Sequence, residues 1–416
     1  MSRTHVALTM DDYGRRVLLA HHQDSPFHIA VSRLLDNSHV TSHMDHFMHT
    51  AHQSMPAAGP DAPAWRMLYI DAAILKVLAR ASLPPLPEDA ARECISILDR
   101  AIIIAGAATD DTRRDHVVHD VIKQLQSDIP WRPPSIAVLV AGQTPVQRPL
   151  SMSRNSIPTL ATLPSIFSPQ QHWSRAPFAI PGYADHWPAM HHPHQWASLP
   201  YLFSLAGPGR IVPVEVGDDY RSDEWTQKLF SWEDFLSSLG PSSVHRPHQT
   251  IYLAQHSLFT QFPQLRDDII LPDIVYASLD APDYPAYQPP PDVIVNCVAW
   301  PQRDDITRSY VQVVGRKTVW LAPPHVGPAM YPHPSTTDKS HNPAAGLMSN
   351  TSRVDVFPTT LGETVASQSA FPLFWDKVPD EAYCVTLDPG DLLFFPPGWW
   401  HAMRSEDVSF SVSMWF

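Results

Sequence analysis

From about residue 171 onward the chain breaks into short runs rich in β-branched and aromatic residues, each cut off by Pro, Gly or Asp. The runs are Pro177-Phe-Ala-Ile-Pro181, Arg210-Ile-Val-Pro-Val-Glu-Val216, Thr250-Ile-Tyr-Leu-Ala254, Asp292-Val-Ile-Val295, Tyr310-Val-Gln-Val-Val314, Lys317-Thr-Val-Trp-Leu321, Tyr383-Cys-Val-Thr-Leu387, Asp391-Leu-Leu-Phe-Phe395 and Val408-Ser-Phe-Ser-Val-Ser-Met-Trp415. Many short strands limited by turn residues predict a mainly β sandwich or barrel. Gly315-Arg316, between two runs, reads as a tight hairpin. Helices are expected to interrupt over 223–239 and from Leu258 to about Asp268. The chain holds 44 prolines against 15 glycines. Much of that proline follows residue 130, which favours strand ends and turns over long helices.

The first 130 residues have a different texture. Apolar residues recur at three- and four-residue spacing over Trp65–Arg80, Glu88–Ile104 and His116–Leu125, the period of amphipathic helices. Residues 131–170 are rich in Pro, Ser, Thr and Gln without sustained period, so they read as a linker. The expected organisation is a helical region over 1–130, a linker over 131–170 and a β domain over 171–416.

Composition excludes several classes. A net charge of −13 leaves little to neutralise phosphates, which argues against direct nucleic-acid binding or an anionic membrane surface. It is compatible with a basic peptide partner. Cys94, Cys297 and Cys384 are far apart and form no C-x-x-C pair; a disulfide framework is not expected, which points to an intracellular compartment, nuclear or cytoplasmic. No apolar run reaches the length of a membrane span, and the N-terminus has no signal-peptide pattern. The oligomeric state is left open.

Several blocks resemble one family. They are Pro181-Gly-Tyr-Ala-Asp-His-Trp-Pro-Ala189, Val212-Pro-Val-Glu-Val-Gly217, Tyr252-Leu-Ala-Gln-His-Ser-Leu-Phe259, Pro263-Gln-Leu-Arg-Asp-Asp-Ile269, Val311-Gln-Val-Val-Gly-Arg-Lys317, Asn350-Thr-Ser-Arg-Val-Asp355 and Pro389 through Phe416. In this order they resemble the JmjC (cupin-like) oxygenases, closest to the branch described as arginyl hydroxylases and lysine demethylases. The resemblance implies a double-stranded β-helix, or jelly roll, that holds Fe(II) and 2-oxoglutarate inside the barrel, preceded by an α-helical region.

It also implies the site. His401, after Pro-Pro-Gly-Trp-Trp, stands at the distal iron-ligand position. Lys317 matches the lysine that pairs with the far carboxylate of 2-oxoglutarate, a charge-assisted bond in a low-dielectric pocket. Tyr252 matches that carboxylate's second contact. Counting back from Lys317 places the family's His-x-Asp pair on Gln302 and Asp304. The aspartate is present and the histidine is replaced. An asparagine expected before the lysine falls on Arg308, and the segment between Asn296 and Gln302 is shortened. A glutamine amide is a weak ligand beside imidazole for Fe(II), and Arg308 adds a cation that repels one. Glu215, Tyr220 and Trp225, with Gln255 and Trp300, match the substrate region. A carboxylate with aromatic faces suits a guanidinium.

Other histidines are weighed beside these. His39, His43, His46 and His49 recur on one helix face, read as solvated. His191-His-Pro-His194 reads as a loop, and His256 as a residue facing the barrel. Three readings of the metal site stay open: a degenerate, non-catalytic site; metal held by Asp304, His401 and an unexpected third ligand; or a stretch missing from the sequence as given. The corresponding functions are a 2-oxoglutarate-dependent oxygenase acting on a protein or peptide side chain, arginine or lysine; a non-catalytic binding module; and a small-molecule tailoring oxygenase.

Overall fold

The computed structural model describes residues 40–57, 59–81, 86–106, 112–130, 152–166, 172–216, 226–239, 251–253, 256–277, 293–300, 309–333 and 351–416. Among the described residues four α-helices lead: α1 (Val40–Ser54), α2 (Ala62–Ala81), α3 (Glu88–Ala105) and α4 (Thr112–Ser127). Their apolar stripes bury residues such as Ile74, Leu78, Ile95, Leu98 and Ile122 against one another, as the helical spacing predicts.

Two sheets form a sandwich behind them. The first has the order β1 (Asn155–Ser156), β9 (Tyr383–Leu387), β8 (Lys317–Ala322), β11 (Trp400–Ser405). The second runs β2 (Phe178–Ile180), β10 (Leu392–Phe394), β7 (Ser309–Val314), β12 (Ser409–Trp415), β6 (Ile294–Trp300). A third, smaller sheet has β3 (Ile211–Val216) between β4 (Thr226–Ser231) and β5 (Ile251–Tyr252). Val319, Leu321, Leu387 and Met403 of the first sheet face Ala179, Tyr310 and Leu393 of the second. The other face of the second sheet packs on β3 and on helices α5 (Leu199–Ala206) and α6 (Trp232–Leu239). Shorter helices complete the chain: α7 (Leu258–Gln261), α8 (Gln264–Asp267), α9 (Leu361–Ala370) and α10 (Pro372–Lys377). This is the mainly β, jelly-roll-like architecture with leading helices that the resemblance implies.

Three local expectations change. The hairpin at Gly315-Arg316 is a corner: β7 pairs with β10 and β12, whereas β8 pairs with β9 and β11, so the turn carries the chain between sheets. Gly315 has φ +70°, and a Cβ there would lie 2.1 Å from the Val408 carbonyl oxygen; only glycine permits both. The helix expected over 223–239 is helical only from Trp232, because residues 226–231 pair along their whole length with β3. Ser231 starts the helix by accepting from Asp234 N at 2.9 Å, as an N-cap does. Within the expected linker, 131–151 lie outside the described residues, while 152–166 join the sandwich. There β1 pairs in parallel with β9, and the buried Met152 accepts from Trp320 Nε1 at 3.0 Å.

The helical region is docked on the sandwich through buried polar bonds. Asp99 of α3, fully buried, receives Arg210 Nη2 at 2.7 Å, Arg210 Nε at 3.0 Å and Ile211 N at 2.8 Å. Arg210 also donates to the Gln261 carbonyl at 2.9 Å and lies 4.5 Å from the Phe262 ring centroid. His119 Nε2 of α4 donates to the Thr260 carbonyl at 3.1 Å, and His256 Nε2 donates to Gln261 Oε1 at 2.7 Å. His256 therefore belongs to this seam, where sequence placed it facing the barrel. Burial pushes both imidazoles below their ordinary pKa. The Arg210 charge adds to this for His119 against its carbonyl bond, and the Gln261 bond opposes it for His256.

This arrangement has a pH consequence. Both rings take up a proton at lower pH in the fold than in the unfolded chain, where they titrate near about 6.5. Below that pH the unfolded chain takes up more protons, so their contribution is fully present above about 6.5 and is lost as pH falls. The melting temperature is expected to drop between pH 7.5 and 5.5. Substituting both His119→Asn and His256→Gln is expected to flatten that drop; a slope left unchanged would assign it to other groups.

Candidate functional site

The inner faces of the sandwich carry two of the candidate residues, His401 and Lys317. On β11 and β8, His401 lies opposite Leu321 and Ser405 opposite Lys317. His401 and Lys317 therefore share one face of the first sheet, four residues apart along β11, about 13 Å at the strand rise. His401 Nδ1 donates to the Trp399 carbonyl at 3.1 Å. That bond selects the tautomer whose Nε2 carries the lone pair, the arrangement that orients a metal-ligating imidazole. Nε2 is buried, and the ring lies 5.2 Å from Phe395.

Lys317 has no exposed surface. Its ammonium crosses to the second sheet, where it donates to the Tyr310 hydroxyl and approaches Ser411 Oγ at 3.4 Å. Tyr310 donates to Ser411, Ser411 to Gln312 Oε1 at 2.8 Å, and Gln312 Nε2 to the carbonyls of Val314 at 2.7 Å and Gly315 at 2.9 Å. The alternation on β12 explains this lining. Phe410, Val412 and Met414 turn outward into the hydrophobic core beneath α5 and α6. Ser409, Ser411 and Ser413, all fully buried, take the opposite face, as a period of two requires. A row of buried hydroxyls opposite a buried ammonium suits a polar, anionic small molecule. Tyr310, Gln312 and Ser411 were not singled out in the sequence, although Ser-Phe-Ser-Val-Ser-Met carried the signal.

The remaining expected residues divide. Tyr252 is buried and lies directly across from Glu215 on β3, so these two side chains share a face. Glu215 also accepts from Gln227 at 3.4 Å. Trp300 ends β6 opposite Ser409; its side chain lies outside the described residues, as do Tyr220, Trp225, Gln255, Gln302, Asp304 and Arg308. His46 and His49 are exposed on α1. His194 Nδ1 meets buried Asp268 at 2.8 Å, where Trp196 and Tyr201 also donate. Among the described residues no three His, Cys, Asp or Glu side chains converge to hold a metal ion. His401 presents a buried Nε2 on the inner face, and among the described residues it belongs to no such group. Toward 2-oxoglutarate, the described feature is the buried Lys317 ammonium, whose charge a carboxylate would complement.

Comparison with known proteins agrees with this architecture. The cupin-like domain model matches residues 165–416. Over 371 residues the chain is 31% identical to lysine-specific demethylase 8 of Danio rerio, covering 85% of this chain and 81% of that protein. It is 37% identical over 242 residues to Jumonji C domain-containing protein 5 of Drosophila melanogaster, covering 56% of this chain and 52% of the relative. It is 33% identical to lysine-specific demethylase JMJ30 of Arabidopsis thaliana, covering 58% and 49%. The matches thus span about half the length of the fly and plant relatives. Among the described residues no helix is long and apolar enough to cross a membrane. With the sandwich, the cupin-like match and these relatives together, the chain belongs to the JmjC family of cupin-like oxygenases.

Proposed function

We propose that this protein is a 2-oxoglutarate-dependent JmjC oxygenase with an altered metal set, acting on an arginine or lysine side chain of a protein or peptide. The observation that carries the reading is Lys317: a fully buried ammonium on the inner face of the sandwich, sharing that face with His401. A buried charge persists where something stabilises it, and the carboxylate of a diacid does so with a charge-assisted bond. Tyr252 is the second candidate contact for that carboxylate. Glu215, across from Tyr252, is a candidate substrate contact, with Tyr220, Trp225, Gln255 and Trp300 as the further candidates that the resemblance implies. Asp304 and His401 are the candidate iron ligands, with Gln302 as the weak third. Fe(II), when held, supplies the activation of dioxygen; Lys317 and His401 orient what binds between them. Names such as lysine-specific demethylase favour a basic side chain as the substrate group, and the acidic net charge of −13 favours a basic partner surface.

Gln302 favours a second reading, a non-catalytic binding module that retains the diacid site. Iron titration with succinate detection separates the two. Weak Fe(II) binding with slow succinate formation is expected. Gln302→His is expected to raise Fe(II) affinity at least about tenfold without restoring a full rate, because the shortened segment before it also removes scaffold. No metal binding and no succinate from either protein would leave the binding-module reading.

A further inference from the structure

Tyr310 lies directly against the Lys317 ammonium. Both residues are fully buried, and the phenol hydroxyl accepts from the ammonium. The hydroxyl is then committed to Ser411, Ser411 to Gln312 at 2.8 Å, and Gln312 to the carbonyls of Val314 and Gly315. The chain of bonds runs one way, from the ammonium to the corner turn, and each hydroxyl in it has both a donor and an acceptor. Burial holds the phenol well above its ordinary pKa, so it remains a neutral acceptor. The ring itself lies beside the ammonium, with Nζ 5.0 Å from its centroid.

We propose that Tyr310 is a built-in plug of the Lys317 carboxylate site, which sets how tightly the barrel takes a five-carbon diacid. This rests on the reading that Lys317 receives that carboxylate. A carboxylate is the stronger acceptor, because a charge-assisted bond is roughly twice as strong as a neutral one. It must still compete with the Tyr310 and Ser411 hydroxyls for the three Nζ protons and take space beside a ring packed at zero exposure. The affinity is the difference between those two terms. Tyr310 is thus a specificity-determining residue: a ligand with no carboxylate to repay the lost bond is excluded.

Calorimetric titration of the full chain with glutarate tests this without iron, since glutarate lacks the keto oxygen that a metal would hold. Tyr310→Leu removes hydroxyl and ring and is expected to bind glutarate at least about tenfold more tightly than the wild type. Tyr310→Phe removes only the hydroxyl and is expected to fall between them. It serves as the conservative variant if the leucine variant melts at a much lower temperature. Lys317→Met in the Tyr310→Leu background is expected to abolish the gain. If neither Tyr310 variant binds more tightly while Lys317→Met still loses glutarate, the plug is overturned and the Lys317 site stands. If Lys317→Met binds as well as its parent, or no variant binds at all, the carboxylate site itself is overturned.

Discussion

Replacing Asp99 by Ala is expected to destabilise the protein by about 3–5 kcal/mol, the cost of removing one partner of a buried ion pair. Arg210 has only 5% of its side chain exposed and Asp99 none. Without Asp99 the guanidinium keeps the Gln261 carbonyl and the Phe262 ring, but no anion. Ile211 N loses its acceptor as well, and a buried unpaired amide adds a penalty of its own. The damage is not local to the seam. Arg210 directly precedes β3, the strand that carries Glu215 and pairs with Tyr252. Gly209 at φ +78° lets this stretch approach α3, where a Cβ would meet Ile95 at 3.2 Å and the Arg92 backbone at 3.3 Å. Urea denaturation followed by tryptophan fluorescence measures the loss. The double variant Asp99→Leu, Arg210→Met is expected to recover most of it, because removing both charges together removes the desolvation cost of each. A single-variant loss under about 1 kcal/mol, in the range of exposed pairs, would show that the seam does not hold the helices in place.

Lys317→Met carries the second large effect. Methionine keeps much of the side-chain volume and removes the charge, so 2-oxoglutarate affinity is expected to fall about 100-fold, near the upper value of a hydrogen bond to a charged group. Folding stability is expected to hold or rise, because a buried ammonium is costly and Tyr310 retains its bond to Ser411. Arginine is not expected to rescue binding: its planar fork does not fit a space shaped for one ammonium between Tyr310 and Ser411. Calorimetry on both variants decides the point, and unchanged affinity in Lys317→Met removes Lys317 from the site. The combination of weaker binding and undiminished stability distinguishes a ligand-binding lysine from a structural one.

Much of the architecture was legible in the chain, for a definite reason. Strand runs such as Lys317–Leu321 and Tyr383–Leu387 are bounded by turn residues, and amphipathic spacing marked α2, α3 and α4; both signals are local. The errors arose where pairing with distant residues decided the outcome. Thr226–Ser231 is a strand because β3 lies beside it, although its own residues carry no strong strand signal. Asn155–Ser156 joins the sandwich because β9 offers it an edge. The corner at Gly315 looked like a hairpin because two strands flank it, and only their partners show that they belong to different sheets.

The site divides along the same line. Sequence by itself determined the family-like order of blocks, and through that resemblance raised the expectation that His401 and Lys317 stand at site positions and that Gln302 takes a histidine's place. Only the tertiary structure decided that Lys317 crosses from one sheet to Tyr310 and Ser411 on the other, that the β12 serines face inward, and that Asp99 meets Arg210 across 111 positions of chain. Those contacts join residues with no local relation, and burial is what gives them their energy: a hydrogen bond or ion pair that counts for little in water becomes decisive once the groups that make it are removed from solvent.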